Sequence, residues 1–62
     1  MAHHNAMTYV FRSYCFENEP AQHVIYFCNK YGERMVQSYE SLTKAKALVN
    51  VLDYLGFTRK RR

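Results

Sequence analysis

The spacing of apolar and polar residues divides the chain into two regimes. Between Thr8 and Phe16, TYVFRSYCF is rich in aromatic and β-branched residues and reads as a first strand. Its side chains alternate, with Tyr9, Phe11, Ser13 and Cys15 on one side and Val10, Arg12, Tyr14 and Phe16 on the other. Residues 17–22, ENEPAQ, are polar and hold the single proline, Pro20, which has no N–H to give to a central ladder, so they read as a turn. The most apolar run, HVIYFCN at 23–29, predicts a second strand in the middle of the sheet. Residues 30–33, KYGE, supply a hairpin turn in which Gly32 is free to take a positive φ, and RMVQSYE at 34–40 returns as a third strand. The period then changes. Leu42, Ala45, Leu48, Val49, Leu52 and Leu55 recur at three-and-four spacing, which predicts a helix over 41–57. Ser41 caps its start, Gly56 ends it in the left-handed conformation, and Phe57 folds back on the last turn.

These elements predict an α+β fold: a three-stranded antiparallel sheet followed by one C-terminal helix packed on one face (βββα). The domain occupies residues 8–58, between a flexible lead-in at 1–7 and a basic tail at 59–62. Both strand faces carry apolar residues, so alternation alone does not choose the face that meets the helix.

Size makes the core matter. A 62-residue chain buries only about 60% of the surface its unfolded form exposes, so something usually supplements the core. Cys15 and Cys28 sit inside strand runs with no ligand-like spacing. They read as reduced thiols, because a cross-strand disulfide requires an oxidising compartment that nothing suggests. His3 and His4 have no third ligand nearby, so neither a metal nor another cofactor is expected. No leader segment is visible and no run approaches the ~20 apolar residues of a membrane span, which makes the cytoplasm the expected compartment. The remaining supplement is association. Six tyrosines and four phenylalanines exceed what one side of a small sheet can bury, and predict a homodimer or a dedicated partner, with Tyr14, Tyr26, Tyr39 and Tyr54 at the interface.

The net charge of +4 is informative once located. Five cations balance five carboxylates over residues 1–58, and Arg59, Lys60, Arg61 and Arg62 carry the excess. No catalytic constellation accompanies it. Cys15 or Cys28 with His23 lacks a sheltered pocket, Glu17 and Glu19 lie in a turn, and Asp53 is an isolated acid on a helix, so the chain is expected not to be an enzyme.

From Tyr26 onward, over about half the chain, an aromatic strand leads to a glycine-bearing turn with Arg34 after Gly32. Ser38 and Tyr39 close the last strand, Ser41 caps the helix, and Lys44 and Ala45 lie in its first turns. This order resembles the arm-binding N-terminal domains of tyrosine recombinases, the phage-type integrases. The resemblance implies a three-stranded sheet backed by one helix that lies in the DNA major groove. The expected function is therefore a small non-enzymatic nucleic-acid-binding regulator or accessory protein. Arg59, Lys60, Arg61 and Arg62 would supply phosphate affinity, with Arg12, Arg34, Lys44 and Lys46 contributing contacts. The alternative is a protein-binding inhibitor of the kind phages and mobile elements direct at host machinery, such as an anti-CRISPR-like protein. It would act through the aromatic surface, since a neutral, tyrosine-rich body suits a protein interface.

Overall fold

A computed structural model describes residues 7–60 of the chain. His3, His4, Arg61 and Arg62 lie outside these residues. The elements run β1 (Thr8–Phe16), β2 (Glu19–Cys28), β3 (Arg34–Tyr39), α1 (Leu42–Tyr54) and β4 (Thr58–Arg59). They form one helix and a four-stranded sheet in the order β3-β2-β1-β4. This corrects the expected three-stranded antiparallel sheet. β4 runs parallel to β1, so the sheet is mixed.

Local chemistry explains the turns. In β1 and β2, Thr8 pairs with Cys28 and Tyr14 with Gln22, after which the register shifts so that Phe16 faces Glu19. The second strand thus starts earlier than residues 17–22 predicted, and includes Pro20. Proline is tolerated there because β3 pairs with β2 only between His23 and Cys28. Beyond that limit, on the β3 side, β2 has no ladder to break. The β2–β3 loop is built on Asn29. Its backbone oxygen accepts from Gly32 N at 3.0 Å, and its side-chain oxygen accepts from Tyr31 N and Glu33 N at 2.8 and 3.0 Å. Gly32 sits at φ 83°, where a side chain would be strained.

The helix begins and ends on local signals. Ser41 is extended and its hydroxyl accepts from Lys44 N at 3.3 Å. At the other end Gly56 takes φ 95°. Gly56 N then donates to Asp53 O at 3.1 Å and Phe57 N to Leu52 O at 2.9 Å, the paired bonds of a Schellman cap. β3, α1 and β4 make a crossover between parallel strands, carrying the chain from one edge of the sheet to the other. A 13-residue helix is about 20 Å long and four strands span about 15 Å. Leu42 and Leu55 near its two ends remain exposed, although both belong to the apolar spacing of the sequence.

The helix covers the face of Tyr9, Phe11, Ile25, Phe27 and Tyr39. Tyr9, Ile25, Ala45, Val49 and Leu52 form the buried centre, with Phe11, Phe27, Tyr39, Leu48 and Phe57 packed around it. Tyr9 donates its hydroxyl to Asp53 Oδ1 at 2.6 Å, which satisfies a polar group that burial would otherwise penalise. Phe57 meets Phe27 edge-on at 6.2 Å. The two cysteines are free and far apart: Cys28 faces Thr8 at one end of the hairpin, while Cys15 lies at the other on the opposite side.

Candidate nucleic-acid interface

The second face of the sheet is left uncovered by α1, and strand register writes its surface row by row. The first row across the strands is Arg34, Cys28, Thr8 and Thr58. Val36, Tyr26 and Val10 follow, with Lys60 beside Val10, one residue beyond the Tyr9–Arg59 pair. The third row is Ser38, Val24 and Arg12, and the fourth is Gln22 and Tyr14. A depression of about 370 Å³ lies over the first two rows, lined by Thr8, Val10, Tyr26, Cys28, Arg34 and Lys60 among others.

Tyr26 is the centre of this surface and is 41% exposed. Its hydroxyl lies 3.5 Å from that of Tyr14, although the two residues stand one row to either side of the Arg12–Val24 pair. The rings therefore lean toward each other across that pair, which accounts for Val24 being only 9% exposed with no helix above it. The Tyr26 phenol is held above its usual value, first by the hydrogen bond its neutral hydroxyl makes to Tyr14 and by the Tyr14 charge, then by burial, against an opposing pull from the Arg12 guanidinium. Ser38 Oγ donates to Gln22 Oε1 at 2.7 Å and ties β3 to β2 on the same face.

Charge is sorted as sharply as shape. Arg12, Arg34 and Lys60 all belong to this face, and no carboxylate occurs along β1, β3 or residues 22–28. Glu17 and Glu19 are at the hairpin tip, and Glu33 accepts from Asn29 Nδ2 at 2.7 Å in the β2–β3 loop. Glu40 follows β3, and Asp53 is engaged by Tyr9 on the helix side. A field of one sign over aromatic and apolar side chains suits a polyanion with flat faces.

Of the residues singled out in the sequence, Arg12, Tyr14, Tyr26, Arg34 and Lys60 are brought together here. Arg59 is not among them. It points to the opposite face, its guanidinium 5.6 Å from the centre of the Phe11 ring. Tyr39 lies on the helix-covered face and is half-buried. Lys44 and Lys46 are exposed on the helix, and Tyr54, 89% exposed, stands apart from the sheet. Val10, Val36 and Thr8 complete the surface and were not singled out, although their parity with Tyr14 and Tyr26 carries the signal. Among the described residues no three His, Cys, Asp or Glu side chains come together as a metal site would require, and no helix is long and apolar enough to cross a membrane. No protein-family model, curated protein or solved structure matches the chain.

Proposed function

We propose that this chain is a non-enzymatic nucleic-acid-binding protein that takes its ligand on the uncovered sheet face. The observation that carries the reading is the meeting of Tyr14 and Tyr26 with Arg12, Arg34 and Lys60 on four rows of the sheet whose paired residues include no carboxylate, Glu19 and Glu40 lying beyond them. In this reading the three cations, joined by Arg61 and Arg62, neutralise phosphates, and Tyr26 offers a ring to a base or sugar. The test is fluorescence anisotropy with a labelled single strand and a labelled duplex across a salt series. Arg12→Ala is expected to flatten the log-log salt slope by about 0.7 on the single strand or 0.9 on the duplex. Tyr26→Ala is expected to weaken binding by about 1–3 kcal/mol with the slope unchanged. Absence of binding to both probes near physiological salt, or a Tyr26→Ala chain that binds as tightly as the parent, overturns the reading.

A second reading rests on a different surface. Val51, Tyr54 and Leu55 form an exposed apolar cluster at the C-terminal end of α1, and such a cluster fits a protein partner better than a phosphate backbone. Under this reading the chain is an inhibitor or adaptor of another protein. Tyr54→Ala then removes the activity and Tyr26→Ala spares it.

A further inference from the structure

The two edges of the sheet differ. The β4 edge is two residues long and runs into basic residues, and shortness and charge both discourage further pairing. The β3 edge is six residues long, has no proline, pairs with β2 in unbroken register and carries one charge, Arg34. Every residue from Arg34 to Ser38 is exposed. Met35 and Val36, on opposite faces, are 43% and 57% exposed. Such a strand is a template for another.

We propose that β3 pairs antiparallel with β3 of a second copy, about a two-fold axis through Gln37. Residues opposite one another in an antiparallel pair share a face, so the axis must pass through a residue and not between two. An axis through Gln37 sets Arg34 of each copy opposite Glu40 of the other, Met35 opposite Tyr39, and Val36 opposite Ser38. Moving the axis to Val36 sets Arg34 opposite Ser38 and Met35 opposite Gln37. Moving it to Ser38 sets Val36 opposite Glu40. Only the Gln37 register matches charge with charge and apolar with apolar. Arg34 and Glu40 are both exposed, and neither has an ion-pair partner among the described residues. The Met35–Tyr39 contacts fall on the helix side, at the edge where Leu42, 44% exposed, opens α1, so they extend the core across the join. The axis keeps both uncovered faces on one side, forming a single eight-stranded surface that presents Arg12, Tyr26 and Lys60 twice.

Sedimentation equilibrium without nucleic acid tests this. Arg34→Glu and Glu40→Arg each place like charges opposite one another twice per dimer, and each is expected to weaken association about tenfold or more. The double exchange, Arg34→Glu with Glu40→Arg, restores the pairs and returns the dissociation constant to within about threefold of the parent. In a Cys15→Ser/Cys28→Ser background, Arg34→Cys/Glu40→Cys is expected to form an intermolecular 34–40 disulfide, identified by mass spectrometry. A parent chain that stays monomeric into the millimolar range, single variants that associate normally, a double exchange that fails to restore the dimer, or no 34–40 cross-link overturns the proposal.

Discussion

Tyr26 and Tyr14 are told apart from the other tyrosines by parity. The sequence offers Tyr14, Tyr26, Tyr39 and Tyr54 as equal candidates, yet pairing Tyr14 with Gln22, Tyr26 with Val36 and Tyr39 with His23 sends the first two to one face and Tyr39 to the other. That outcome was legible in β1, where alternation was read directly. For the later strands it depended on the register set by the Asn29 loop, and on the bulge near Pro20, neither of which periodicity specifies. The link between the two hydroxyls makes a testable statement. The raised Tyr26 value means that folding favours the neutral phenol, so this contribution is complete below the ordinary value of 10.0 and is lost as pH rises through the folded value. Tyr14→Phe removes the main cause. Spectrophotometric titration of the phenolates is expected to show Tyr26 ionising at lower pH in the variant, and an unchanged titration would mean that the hydroxyl contact does not persist in solution.

Among the elements, those defined by local chemistry were legible and those defined by distant pairing were not. Ser41, Gly56 and Phe57 mark the helix ends because capping bonds reach only three to five residues, and the structure places the helix and its cap where those residues predict. β4 has only Thr58 and Arg59, too short to show a period. It exists because α1 delivers the chain beside β1, where Thr58 N donates to Met7 O and Lys60 N to Tyr9 O, both at 2.8 Å. Pro20 misled for a related reason: whether a proline offends a ladder depends on where the neighbouring strand stops. The Schellman cap can be tested alone. A Cβ on Gly56 would meet nothing within 4 Å, so the cost of Gly56→Ala is conformational, arising from φ 95°. We expect about 1 kcal/mol of lost stability in urea unfolding, and an increase in stability instead would show that the helix does not end in the left-handed conformation.

For the whole molecule, the charge segregation of the sequence becomes a spatial one through the crossover. A balanced body followed by four cations suggested an appended tail, but α1 returns the chain to the free side of β1 and makes Arg59 and Lys60 part of the sheet, one on each face. Lys60 thereby joins Arg12 and Arg34 over the Tyr26 surface. Truncations separate the two roles of this end. Stopping after Lys60 keeps β4 and the bond to Tyr9 O, and is expected to leave stability within about 0.5 kcal/mol of the parent. If Arg61 and Arg62 each neutralise one phosphate, the same truncation flattens the duplex salt slope by about 1.8. Stopping after Thr58 removes a backbone hydrogen bond and the contact of Arg59 with Phe11, together about 1–2 kcal/mol. Its weaker binding would then mix lost charge with a loosened edge, whereas the chain that stops after Lys60 reports charge alone. Equal stability of the two truncated chains in denaturant would show that β4 contributes nothing to the fold and that all four cations act as a tail.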